Sequence, residues 1–467
     1  MNNFIKRYKN SVNIAYNLAG NFIQGSITLI LIPITTKILD AADYGIFGIG
    51  LVILNLSAAI CETGSSYVIY AYIQKISHKR KCELFSTLIL MAGIIGSIIS
   101  IILYFIWITL SSNFDFLLLF STPEIIFICA VVPVRAIWIV VVPILVSVKR
   151  SGAIAVSLIS QSTLNFCVVV TSLYAFDFGR LSLFIGNAVG NTACVMICLI
   201  YIGKFYIAQP RLFWVKKSTS TALGAWTAGV IENCRAVLES GLLQKFVGVT
   251  LLGSFFHARL YQGMIMQGTN AFNNVLWPLA LEESKNKSTS FTTVSNGWNF
   301  VYFGITVVGL IFAFYGVEII GYISNDKFNA ANSWIPWLVI YSLIQNSGKP
   351  ATAVLFYSNK GNLLSKLRII LLVIDLVSLL IFVPFYGIEA VIATSIFDML
   401  CMRFYIRVSA EKIQKIPFTD WMIFWGILLI IFAVFFGKDF LSSLEKIVLL
   451  NFMIIIHLML LIYLRKS

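Results

Sequence analysis

Four basic side chains stand deep inside long apolar stretches of this 467-residue sequence: Arg135, Arg235, Arg259 and Lys349. Glu62, Glu239, Asp375 and Asp398 are placed in the same way. A charge at membrane depth costs about 3 kcal/mol on insertion scales, so such groups are functional candidates before anything else. The chemistry they suit is holding ions and charged head groups, because groups that make or break bonds are not arranged for it. Neither His257 nor His457 has a partner suggesting catalysis, and His78 lies in a loop. Cys194 and Cys198 are four apart on one helix, with no His or carboxylate near them in sequence to complete a metal site. No Gly-rich loop ends in Gly-Lys-Ser/Thr, which argues against ATP hydrolysis. The expectation is a protein that is not an enzyme and holds no metal or cofactor.

Neutral polar residues recur around these charges at helical spacing. Arg259, Gln262, Met266, Asn270, Asn273 and Trp277 share one helix face; Asn13, Asn17, Asn21, Gln24 and Thr28 share another; Asn55, Glu62 and Ser66 form a third stripe. Such faces are expected to line water or sugar, the competing reading being interhelical hydrogen bonding in a membrane bundle. Glu232 and Glu239 flank Arg235 at three and four residues, so an intrahelical ion pair competes with a ligand role for that guanidinium. Lys349, Asp375 and Asp398 fall near the middle of successive apolar runs and are expected at one depth, as a proton or sodium site or as a permanent salt bridge completed by Lys349 or Arg403.

The elements that must position these residues are membrane helices. Hydrophobic residues make up 59% of the chain and charged residues 12%, half the charged share of a soluble domain, and the mean hydropathy is +0.90. The apolar stretches are too long and continuous for barrel strands, and the bilayer then demands helices, whose backbone bonds close internally. About fourteen spans are predicted, near 12–35, 43–73, 83–111, 117–147, 151–176, 181–207, 222–247, 250–282, 291–323, 333–357, 362–384, 387–410, 418–437 and 444–464. The net charge of +14 does not point to nucleic acid, because it falls in alternate loops: Lys79 to Lys81, Arg211 to Lys217, Lys360 to Arg368 and Arg403 to Lys415 share one side, with both termini. By the positive-inside rule that side is cytoplasmic. Trp334, Trp337, Trp421 and Trp425 sit where interfacial anchors belong, and Pro133 and Pro350 bend their helices.

A shift of about 210 residues superimposes the halves weakly, with Gly45-Ile46-Phe47 opposite Gly253-Ser254-Phe255. The expected fold is an all-α polytopic membrane protein with two pseudo-symmetric six-helix lobes, 1–207 and 222–415, joined by a cytoplasmic linker, 208–221, and followed by two further helices in 416–467.

The chain resembles the Wzx-type O-antigen flippases of the multidrug/oligosaccharidyl-lipid/polysaccharide superfamily. The resemblance is carried by Asn17-Leu18-Ala19-Gly20-Asn21 running to Pro33-Ile34-Thr35-Thr36-Lys37-Ile38-Leu39, by Ala42-Asp43-Tyr44-Gly45-Ile46, and by the two-lobe plan. It is less similar to lipid II flippases, which keep an arginine in the first helix where this chain has Asn13, Asn17, Asn21 and Gln24. The resemblance implies a bacterial inner-membrane protein that moves an undecaprenyl-pyrophosphate-linked glycan outward by alternating access, beside a polymerase and a chain-length regulator. A pyrophosphate suits cationic partners; Arg135, Arg235, Arg259, Lys349, Gln262, Asn270, Asn273, Asn17, Asn21, Gln24 and Glu62 are then the expected cavity residues, and Asp375, Asp398 and Glu239 the candidates for coupling to H+ or Na+. The alternatives are a proton- or sodium-coupled multidrug exporter of the same superfamily and a membrane polysaccharide polymerase.

Overall fold

The computed structural model describes residues 2–73, 76–111, 115–148, 150–285, 292–324, 326–358, 360–416, 420–436 and 443–466, and all regular structure among them is helical. The helices of eight or more residues are α1 (Asn2–Ile38), α2 (Ala41–Glu62), α3 (Ser65–Tyr72), α4 (His78–Leu110), α5 (Thr122–Ser147), α6 (Ser151–Tyr174), α7 (Leu181–Tyr206), α8 (Leu212–Phe246), α9 (Val249–Lys285), α10 (Thr292–Ser324), α11 (Ala331–Ser347), α12 (Lys349–Tyr357), α13 (Gly361–Glu411), α14 (Asp420–Phe436) and α15 (Ser443–Lys466). Each predicted span falls on this helical framework. Among the described residues nine helices are long and apolar enough to cross a membrane, α4 and α5 included, and α14 is a shorter apolar helix.

Two predicted spans contain a break that composition did not announce. The second span divides at Thr63 and Gly64, both left-handed at φ 49° and 71°. Ending a helix there orphans the last carbonyls of α2, and the indole N–H of Trp226 donates to the carbonyl of Ile60 at 3.0 Å. The tenth span divides at Gly348, ahead of Lys349 and Pro350. In α13 a kink at Gly387 (φ 54°, ψ −125°), three residues after Pro384, separates the two arms predicted as the eleventh and twelfth spans.

The chain forms two compact units. The first comprises residues 1–253 and 361–376, and the second 254–360 and 377–467. This division differs from the expected lobes: α8 and the opening turns of α13 cluster with the first six spans. Ion pairs between α8 and α13, Arg235 with Asp375 and Arg368 with Glu232, join these segments inside the first unit. Its core packs Leu54, Val68, Phe85, Val132, Ile144 and Leu158 from α2 to α6. In the second unit Trp298 and Tyr302 stack at 6.2 Å among buried Leu343 and Ile430, and the Asp420 carboxylate that opens α14 receives Arg403 and Arg407 of α13.

One end of the first unit is held by Arg180, which precedes α7. Its Nε and Nη2 donate to Glu124 at 2.6 and 3.0 Å, Nη2 also reaches the Leu119 carbonyl at 3.3 Å, and Asp43 lies 3.7 Å away. Glu124 and Asp43 meanwhile accept from the backbone N–H groups of Ser121 and Asp40, so each carboxylate also caps the start of its helix, α5 or α2. Arg180→Ala strands the buried Glu124 carboxylate, a loss of about 3 kcal/mol by analogy with broken buried pairs. Scanning fluorimetry of the purified protein in detergent should show a lower melting temperature, partly restored by adding Glu124→Gln.

Candidate functional site: a guanidinium in an amide cradle

Arg135 is positioned by a local defect in α5. Pro133 has no N–H for the carbonyl of Cys129 four residues earlier, and Ser100 Oγ of α4 donates to that carbonyl instead, at 2.7 Å. Gly96 admits the close approach of α4 to α5, since a β-carbon there would lie 2.7 Å from Pro133 Cα. Two residues on, Arg135 Nη1 donates to Asn191 Oδ1 at 3.0 Å and Nη2 to Asn55 Oδ1 at 3.4 Å. Gln161 Nε2 shares Asn191 Oδ1 at 3.2 Å, while Asn191 Nδ2 donates to the carbonyl and side chain of Asn187 at 2.7 and 3.1 Å. Gly190 is the enabling residue on α7: a β-carbon there would stand 2.8 Å from the Gln161 carbonyl. Asn55, Arg135, Gln161 and Asn191 all fall in the middle third of their helices.

No carboxylate touches Arg135 among the described residues. A guanidinium carries five N–H donors and no acceptor, and here it is oriented by neutral amide oxygens. That arrangement fixes the fork while leaving its charge uncancelled, which is what an anionic ligand requires. Asn187, Asn191 and Gln161 were not among the predicted site residues. Their one sequence signal is amides at helical spacing, Gln161 with Asn165 and Asn187 with Asn191, in otherwise apolar spans.

The buried cation of this unit, Arg235, is matched differently. Arg235 Nε lies 3.0 Å from Glu239 and 3.3 Å from Asp375, and all three are buried. Glu232, the alternative intrahelical partner, faces Arg368 at 3.6 Å. Of the carboxylates expected to group with Lys349, Asp375 pairs with Arg235. Asp375 belongs to the first unit with Arg235, while Lys349 and buried Asp398 belong to the second; Arg403, the other proposed partner, binds Asp420. α13 bends at Gly387, between its two aspartates.

Other predicted residues divide between interior contacts and open surface. Glu62 ends α2 and accepts the hydroxyl of Ser66 across the break. Asn21 is buried and Gln24 half-buried, while the side chains of Asn13 and Asn17 lie outside the described residues. In the second unit Arg259 lies over the Phe255 ring at 4.6 Å, and Gln262 donates to Ser342 of α11 at 3.2 Å, an interhelical bond. Asn270 is exposed; Asn273 has a buried Oδ1 without a hydrogen-bond partner among the described residues. His257 shares hydrogen bonds with Ser324 at 2.7 Å and Tyr261 at 3.4 Å, packed on Phe328.

No family model matches the chain, and no curated protein matches it in sequence. Solved structures do. A mutant of the Vibrio cholerae MATE transporter VcmN matches with a TM-score of 0.62 at 12% identity, covering 87% of this chain and 96% of that one. A MATE transporter in complex with MaL6 matches at 0.65 and 14% identity, covering 86% and 96%. A MOP superfamily transporter from Pyrococcus furiosus, described as having a binding pocket of reversed polarity, matches at 0.62 and 12%, covering 87% and 96%. The chain is a multi-pass membrane protein with the fold of MATE transporters of the MOP superfamily.

The two arginine settings respond oppositely to mutation. Arg235→Gln leaves Glu239 and Asp375 without their shared counter-charge and lowers stability by about 3–5 kcal/mol, with recovery on adding Asp375→Asn. Arg135→Gln removes a charge held by amides and changes stability by about 1 kcal/mol or less. Melting curves of the three variants in one detergent compare these outcomes directly.

Proposed function

We propose that this protein is a flippase that carries a polyprenyl-diphosphate-linked oligosaccharide, of the O-antigen type, across a bacterial inner membrane by alternating access, with both termini cytoplasmic. The observation that carries this reading is Arg135, held at mid-helix by Asn55 and Asn191 with no carboxylate against it. A diphosphate is matched by a planar fork of donors, and the surrounding amides of Gln161, Asn187 and Asn191 offer both donors and acceptors, as sugar hydroxyls require. The position fits transporter sites, which lie near the bilayer midplane. Arg259 and Lys349 of the second unit are proposed as further cationic contacts, with Asn21, Gln24, Asn270 and Asn273 meeting the glycan. Asp375, Glu239 and Asp398 are proposed to couple transport to H+ or Na+. A polymerase and a chain-length regulator are the proposed partners downstream.

A second reading, a cation-coupled drug exporter, is favoured by the carboxylates at depth, Asp375, Glu239 and Asp398, all buried. The two readings separate on Arg135. Purified protein should bind a polyprenyl diphosphate about 10- to 100-fold more weakly after Arg135→Gln, the loss expected for one charge-assisted hydrogen-bonded pair, with partial retention in Arg135→Lys. Cells lacking the gene should accumulate lipid-linked repeat units on the cytoplasmic face, relieved by the wild type and not by Arg135→Gln. Gradient-driven export of a cationic dye that is indifferent to Arg135→Gln and abolished by Asp375→Asn establishes the exporter and removes the flippase.

A further inference from the structure

The segment before α8 is fastened to the start of α4. The backbone N–H of Ala208 donates to Ser86 Oγ at 3.0 Å, that of Arg211 to Thr87 Oγ1 at 2.9 Å, and the Arg211 guanidinium lies 3.2 Å from Glu83. Trp214 is buried edge-on to Tyr72 at 6.1 Å, and Lys217 lies over the Tyr72 and Phe213 rings at 5.0 and 5.5 Å. So fastened, the segment turns large apolar side chains outward: Ile207 is 73% exposed, Leu212 86% and Phe213 60%. Exposed Lys79 and Arg80 stand in the first turn of α4, and exposed Lys216 follows one turn into α8. Neither helix has an acidic residue in its first turn.

That charge placement is unfavourable for an isolated protein. Cations at a helix N-terminus oppose the macrodipole, at a cost of about 0.3–1 kcal/mol each, and α4 begins with Lys79 and Arg80, while α8 carries Lys216 one turn in. An external layer of anions is attracted to the cations and to the helix N-termini alike and outweighs that repulsion. Apolar side chains beside basic heads are the composition of a segment lying in the head-group layer.

We propose that residues 207–217, with Lys79 and Arg80, form a binding surface for anionic phospholipid: Ile207, Leu212 and Phe213 enter the acyl boundary while Lys79, Arg80 and Lys216 contact the phosphates. The occupant is the membrane lipid and not the transported cargo, so the surface stands independently of the cargo assigned above.

The test uses the full-length protein purified in a neutral detergent, mixed with phosphatidylglycerol or phosphatidylcholine, with retained lipid counted by native mass spectrometry. Wild type should retain phosphatidylglycerol about 100-fold better, since three basic residues near an anionic surface contribute about 1 kcal/mol each. Replacing Lys79, Arg80 and Lys216 by Gln should bring the two lipids close to parity without lowering phosphatidylcholine retention, and the Lys79→Arg, Lys216→Arg variant should keep the preference. A wild type without preference, or a Gln variant that keeps it, overturns the proposal. So does loss of the preference in Leu212→Ser, Phe213→Ser with the charges intact, or displacement of phosphatidylglycerol from this surface by equimolar polyprenyl diphosphate, which would make it a cargo site.

Discussion

A charge placed among hydrocarbon must be answered by something, and the two ways in which this chain answers its arginines organise the first unit. Arg235 is answered by carboxylates, one from its own helix and one from α13. Arg135 is answered by amide oxygens alone among the described residues. The first arrangement cancels charge and ties helices together; the second orients a guanidinium while its field persists. In a medium of low dielectric that difference is large, because Coulomb energies between unit charges scale inversely with it. The two cations are thus distinguished by what faces them and not by depth.

The same accounting governs the backbone. Pro133 frees a carbonyl that Ser100 satisfies, and the end of α2 frees carbonyls of which Ile60 is served by Trp226. Irregular backbone at membrane depth is tolerated where protein groups replace the lost bonds. Each repair is made from a different helix, α4 in one case and α8 in the other. A local irregularity therefore becomes a tertiary constraint, and Arg135, two residues beyond Pro133, inherits its place from it.

Much of the framework was legible in the sequence because hydrophobic length and basic loops are one-dimensional signals. The paired arms of α13 were separable at Pro384 to Gly387, and the fourteen spans fall on helices. Breaks at Thr63-Gly64 and Gly348 were not legible, since a run stays apolar whether or not its backbone is continuous. Pairing was less legible still. Asp375 contacts Arg235 from a helix some 140 residues earlier, and nothing in the order of residues encodes that choice. Asn191 and Gln161 escaped notice for the opposite reason: single amides in apolar spans are common as interhelical glue, and only Arg135 beside them gives these a different meaning.

Residues 361–376 complete a body whose other members lie before residue 254. A ribosome at ordinary rates needs on the order of ten seconds to pass from the codon of Arg235 to that of Asp375, and through that interval α8 is without its later partner. Glu239, one turn along the same helix, is already present to neutralise the guanidinium during the delay. The guanidinium thus has a counter-charge on its own helix from the moment α8 is made, and the second carboxylate, arriving later, fastens that helix to α13.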